Sequence, residues 1–177
     1  MDFFDSRKGI LEGVCITGGE PTVQVDLPQF IKKIRSIGFL IKLDTAGTNP
    51  RMMEQLIQDK LVDYVAMDIK HRWEKYSLVT QIPNIATVNN CQDTLHLIQE
   101  SGIDHEYRTT IFPQVHTEED FIEIAKYLLP QERYYLQDTS YEKNYDASIS
   151  RIKNIDVKKL IKSLQEKFPH LVISGRE

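Results

Sequence analysis

Short apolar runs alternate with amphipathic stretches along this chain, and that alternation does most to limit the folds open to it. The runs are Gly13–Thr17, Phe39–Leu43, Asp63–Ile69, His105–Phe112, Arg133–Gln137 and, at the end, Leu171–Ile173. Strands of that length separated by helical patterns argue for repeated βα units around a largely parallel sheet. The helical stretches carry their own punctuation. A helix beginning near Asp26 places Leu27, Phe30, Ile31, Ile34 and Ile37 on one face, with Asp26 as cap, Gln29 reaching back, Pro28 in the first turn and Gly38 as a left-handed stop. Asn49 caps a second helix that opens on Pro50 and buries Met53, Leu56, Ile57 and Leu61. A third, from about Asn90, turns Cys91, Leu95 and Ile98 inward and stops at Gly102. Thr117 to Asp120 opens a fourth, whose stripe is Phe121, Ile124, Ala125 and Leu128. A last helix from Asp156 buries Val157, Leu160, Ile161, Leu164 and Phe168. Residues 71–87 carry no clear pattern, and 138–155 read as a long polar, tyrosine-bearing loop of a length that usually serves a function.

The length, 177 residues, fits a single domain over 1–177, and 41% hydrophobic residues suffice for a core. With 26 acidic against 22 basic residues, the chain lacks the positive footprint of a general nucleic-acid binder. No apolar run is long enough to span a bilayer, and the first residues carry no secretory pattern, so a cytoplasmic protein is expected. Two cysteines, Cys15 and Cys91, make neither a disulfide framework nor a zinc site and read as small buried hydrophobes. The five histidines show no metal-ligand spacing, and only His71 lies beside a candidate site residue.

Polar residues that break the apolar runs cluster at the strand ends. Gly18-Gly19-Glu20 follows the first strand and Asp44-Thr45 the second; Asp68 and Lys70 end the third, Arg108 lies in the fourth, and Gln137 ends the fifth. Ligands of parallel α/β sheets bind at the carboxyl ends of strands, where loops and helix N-termini converge. The glycine pair lets a ligand approach the backbone. Glu20 can receive an ammonium group, Asp44 hydroxyls or a cation, and Lys70 and Arg108 a carboxylate. The set suits a zwitterionic, polyhydroxylated ligand such as an amino-acid nucleoside. Each residue also has a plainer reading. Gly-Gly-Glu-Pro can be a tight turn and Asp44 to Thr48 an Asx-type turn. Asp68 and Lys70 can pair with each other, and Arg108 can neutralise Glu106 or another carboxylate.

Four blocks, Gly13–Thr22 (GVCITGGEPT), Lys42–Pro50 (KLDTAGTNP), Asp63–Lys70 (DYVAMDIK) and Tyr107–Ile111 (YRTTI), occur in an order and at separations that resemble radical S-adenosylmethionine activating enzymes of glycyl radical enzymes. The likeness is greatest to the activating proteins of anaerobic ribonucleoside-triphosphate reductases, with pyruvate formate-lyase activating enzymes more distant. The resemblance implies an α/β fold, a (βα)6 partial barrel. It implies that Gly18, Gly19 and Glu20 bind the methionine amino group of S-adenosylmethionine, that Asp44, Lys70 and Arg108 line the same pocket, and that Asp44, Thr45 and Asp68 match a monovalent-cation site.

It further implies a [4Fe–4S] cluster that cleaves the cofactor, and a glycyl radical enzyme, anaerobic ribonucleotide reductase by preference, as partner. The family holds that cluster with a Cys-x3-Cys-x2-Cys loop, and these residues contain none. The expectation is therefore an incomplete barrel lacking its first βα unit. Such a chain would hold no cluster, would lack catalytic residues of its own and would be inactive by itself. Its uncovered first strand would favour self-association. Two other functions compatible with these blocks are a non-catalytic cofactor-binding or docking module and a radical enzyme like 7-carboxy-7-deazaguanine synthase.

Overall fold

The computed structural model describes residues 2–80, 84–138 and 155–176. In chain order the elements are α1 (Asp2–Asp5), β1 (Gly13–Ile16), α2 (Leu27–Ile37), β2 (Leu40–Thr45), α3 (Pro50–Gln58), β3 (Tyr64–Asp68), α4 (Ser77–Thr80), α5 (Ile85–Ser101), β4 (Asp104–Thr110), α6 (Glu118–Ala125), β5 (Arg133–Gln137), α7 (Val157–Lys167) and β6 (Val172–Arg176), with short 3-10 turns at Pro21–Val23 and Trp73–Lys75. The six strands follow one another across one sheet in sequence order. The pairings β1–β2, β2–β3, β4–β5 and β5–β6 are all parallel, the α/β arrangement the alternating pattern demands. The chain groups into two compact units, Met1–Met67 with Ile85–His105 and Asp68–Asn84 with Glu106–Glu177.

In the first unit, β2 alternates strictly. Ile41, Leu43 and Thr45 are buried, whereas Leu40 is exposed and Lys42 and Asp44 are half-exposed. The buried set joins Ile31 and Ile34 of α2, Met53 and Leu56 of α3, and Cys91, Leu95 and Ile98 of α5 in the core. Gly38 ends α2 at φ 108°, and Asn49 caps α3 by accepting a hydrogen bond from the Met52 N–H at 3.2 Å. Asp26 does precede α2, but its side chain makes no capping bond. Phe30, expected on the buried stripe, is 43% exposed beside the Gly18–Gly19 turn. α5 begins at Ile85, ahead of the expected start at Asn90.

Cys15 overturns its expectation as well. It is exposed, because β1 is the outer strand and the registers Gly13↔Leu40 and Cys15↔Lys42 put both β1 residues on the less covered sheet face. Cys91 is buried, as read.

In the second unit, the core is built from Tyr107, Tyr134, Leu136, Phe121, Ile124, Leu160, Leu164 and Ile173. α6 opens on a capping box: the Thr117 N–H and hydroxyl both donate to Asp120, at 2.8 and 2.7 Å. The patternless stretch after Lys70 forms the Trp73–Lys75 turn and α4. Residues 139–154, the bulk of the expected polar loop, lie outside the described residues. Among the described residues, no helix is long and apolar enough to cross a membrane.

Candidate functional site

Gly18 and Gly19 follow β1 at φ 99° and 53°, backbone that side-chain-bearing residues rarely adopt, with no atom beyond their chain neighbours within 4 Å of where a Cβ would stand. The turn is therefore open, and it borders a cleft of about 390 Å³ that Glu20, Val23 and Phe30 also line. Glu20 is half-buried behind it. Its Oε1 accepts from the Thr22 N–H (3.1 Å), the Thr22 hydroxyl (2.6 Å) and the Thr45 hydroxyl (2.8 Å), while Oε2 accepts from the Ala46 N–H (2.6 Å). The carboxylate thus bolts the turn after β1 to the end of β2.

That end of β2 is itself held. The Thr45 hydroxyl accepts from the Gly47 N–H (2.9 Å), an ST-type turn where the plainer reading of this stretch offered an Asx turn. Three consecutive carbonyls of the loop are tied to α5: Ala46 O accepts from the Cys91 thiol (3.2 Å), Gly47 O from the Thr94 hydroxyl (2.8 Å) and Thr48 O from the Asn90 amide (2.9 Å). The Asn49 amide donates to Thr22 O at 2.7 Å, closing the circuit back to the first turn. Asp44, half-buried on β2, lies 3.7 Å from the Lys42 ammonium.

The second unit carries the other charged candidates. Asp68 accepts from Arg108 Nε on Oδ1 and from Lys70 Nζ on Oδ2, each at 2.7 Å. Arg108 therefore faces Asp68, while Glu106 is taken by Arg176 in a two-pronged pair at 2.6 and 2.8 Å, with the Arg176 guanidinium stacked 3.8 Å from the Tyr135 ring. The backbone beneath the trio is fixed. The Ile69 N–H donates to Arg108 O (2.8 Å), the Thr109 hydroxyl to Ile69 O (2.7 Å) and the Lys70 N–H to the Tyr76 hydroxyl (3.3 Å).

His116 Nδ1 accepts from the Phe112 N–H (2.9 Å), so the proton sits on Nε2, which lies 3.1 Å from Lys70 O. Its ring stacks on His71 at 4.6 Å. Burial holds both imidazoles below the usual histidine range, His116 down to about 4 with the neighbouring His71 adding to the effect. Asp120, beside this pair, is pushed up by burial. The bonds from Thr117 and Lys75 outweigh that and leave it below the usual carboxylate range.

The structure thus gathers Gly18, Gly19, Glu20 and Thr45 in one unit and Asp68, Lys70 and Arg108 in the other. The Gly-Gly turn and the Glu20 carboxylate suit an amino-acid ammonium: Oε2 carries one bond against three on Oε1. Of the side chains matched to a cation site, the Thr45 hydroxyl already serves Glu20 and Gly47, and both Asp68 oxygens face cationic groups. An iron–sulfur cluster does not fit these residues. Three thiolates are the family's ligand set, whereas the 177 residues hold two cysteines, one of them committed to Ala46 O. Reading by motif missed Thr22, the Ala46 N–H, His116 and the α5 trio. Asn90 and Thr94 did leave a signal, as polar residues beside the apolar stripe of Cys91, Leu95 and Ile98.

Residues 2–128 match the family model described as the radical SAM superfamily. The chain belongs to the radical SAM superfamily. It is 33% identical over 144 residues to a Methanocaldococcus jannaschii protein named as a glycyl-radical enzyme activating enzyme, covering 80% of this chain and 60% of that one. The chain therefore spans less than two thirds of that relative. A crystallised domain of a pyruvate-formate lyase-activating enzyme from Bacteroides vulgatus superimposes with a TM-score of 0.65 at 16% identity, covering 92% of this chain and 99% of that one. Streptococcus suis SuiB bound to S-adenosylmethionine gives a TM-score of 0.71 at 13% identity, over 93% of this chain and 39% of SuiB. At those identities the structures establish the radical SAM partial-barrel fold, the α/β class read from the strand pattern.

Proposed function

We propose that this chain is the cofactor-binding part of a radical S-adenosylmethionine activating enzyme whose substrate is a glycyl radical enzyme, and that Gly18, Gly19 and Glu20 hold the methionine ammonium. The observation that carries the reading is the Glu20 carboxylate, fixed through Oε1 behind an open glycine turn with capacity left on Oε2. The name of the M. jannaschii relative supports the class of partner. The sequence blocks favour anaerobic ribonucleotide reductase within that class, and we place the protein in the cytoplasm on the same reading.

In the second unit Lys70 and Arg108 are assigned to a carboxylate, whereas the monovalent-cation match of Asp44, Thr45 and Asp68 is not carried forward, because the Thr45 hydroxyl and both Asp68 oxygens are already engaged. Reductive cleavage needs a cluster, and the thiolates for it are not among these residues. These 177 residues are therefore assigned binding and orientation of the cofactor, and not its cleavage. Calorimetric titration tests this. The wild-type chain should bind S-adenosylmethionine, and Glu20→Gln should weaken it about tenfold with an unchanged circular dichroism spectrum, the loss expected for one charge-assisted bond. Equal affinity removes Glu20 from the site, and a wild type that binds nothing overturns the reading. Failure of the immobilised chain to retain anaerobic ribonucleotide reductase would remove that partner alone.

A further inference from the structure

The Glu20 carboxylate is shared by two threonines on one oxygen and a single peptide N–H on the other. Thr22, the nearer of the two in sequence, is fully buried and bonds Oε1 through both its N–H and its hydroxyl. Thr45, 97% buried, arrives from a different strand and engages its hydroxyl twice, donating its one proton to Glu20 Oε1 and accepting from the Gly47 N–H. A hydroxyl committed at both ends cannot rotate away, so it fixes the direction of the bond it donates. Oε1 with three donors is crowded, and Oε2 with one keeps room for another. The two oxygens are equivalent, so what these donors fix is the plane of the carboxylate and the direction in which the less loaded oxygen is presented.

We infer that Thr45 is a positioning residue for ammonium recognition, locking the Glu20 carboxylate so that Oε2 meets the amino group of the ligand. The inference rests on the proposed binding of S-adenosylmethionine and gives Thr45 a role apart from the cation site that its position suggested. The Gly47 N–H in turn fixes Thr45, and the Thr94 hydroxyl fixes Gly47 O, so the orientation of Glu20 is anchored in α5.

The test compares S-adenosylmethionine with its deaminated 2-oxo analogue, which keeps the sulfonium, ribose and carboxylate and lacks the ammonium. Affinities are measured on the full chain for wild type, Thr45→Val and Thr45→Ser. Thr45→Val should weaken S-adenosylmethionine about tenfold and leave the analogue within twofold, whereas Thr45→Ser, which retains the hydroxyl, should stay within twofold of wild type for both. A Thr45→Val protein that binds S-adenosylmethionine as wild type does, or that loses both ligands alike, overturns the inference. So does a Thr45→Ser protein as impaired as Thr45→Val. If Thr45→Val does not fold, Thr45→Ala removes the same hydroxyl without the added methyl and must show the same ligand-selective loss. A wild type that binds both ligands equally sinks the Glu20–ammonium reading itself, a different outcome from any of these.

Discussion

Gly47 is the residue on which the loop after β2 depends. It combines φ 77° with a would-be Cβ position 2.5 Å from Met67 Cε and 3.3 Å from Thr94 Cβ. A side chain there meets both a disfavoured backbone region and an occupied core. We expect Gly47→Ala to destabilise the chain by about 2–4 kcal/mol in urea unfolding, the sum of left-handed strain and overpacking. Gly18 and Gly19 differ: both have positive φ, but open space surrounds them, so alanine there costs strain alone. Glu20 belongs to the same scale. A Gly-Gly-Glu-Pro turn can be only a turn, and in one respect it is, since Glu20 accepts from Thr22 two residues on. The bonds to Thr45 and Ala46, twenty-five and twenty-six residues away, make it a junction between two strands.

Among the elements, those with a full periodic stripe and a capping residue were legible in the sequence. α2, α3, α6 and α7 begin where their caps place them, α2 ends at its glycine and β5 matches its expected bounds, whereas the stripes expected to reach Leu61 and Leu128 run past the ends of α3 and α6 at Gln58 and Ala125. What escaped depends on partners far along the chain. α5 has an apolar stripe that says it is buried, but nothing in that stripe says that Asn90, Cys91 and Thr94 receive the carbonyls of a loop forty-odd residues earlier. The His71–His116 stack is non-local in the same way, joining the end of β3 to the turn before α6.

Both imidazoles titrate below the unfolded value of 6.5, His116 at about 4. Between those values the unfolded chain binds protons that the folded chain does not, so stability rises with pH across that window and is lost as pH falls through it. Each pH unit there should cost about 1.4 kcal/mol for His116. Urea midpoints measured from pH 7 down to pH 4.5 should show that slope, and it should flatten in His116→Gln.

For the whole molecule, the alternation of runs and stripes was enough to give an α/β class with a largely parallel sheet, because a parallel sheet buries both faces under helical crossovers; the order of its six strands came from the structure. An uncovered first strand was expected, but the exposure of Cys15 on its face was not legible. Cys15 lies in a run that reads as buried and is open to solvent, since burial at an outer strand depends on what lies beside it. Clustering of charge at strand ends was visible, and so was the pairing of Asp68 with Lys70; that Arg108 takes Asp68 as well and that Glu106 takes Arg176 was not.

The hold of α5 on the loop after β2 has a thermodynamic meaning for any ligand that docks against the Gly-Gly turn. Ala46, Gly47 and Thr48 each have a main-chain oxygen bonded to a side chain of α5, and the N–H groups of Ala46 and Gly47 are bonded as well. The conformational entropy of these residues is surrendered when the unit folds, before any ligand arrives. Association then carries no ordering penalty for this segment, so more of each new contact can appear as affinity.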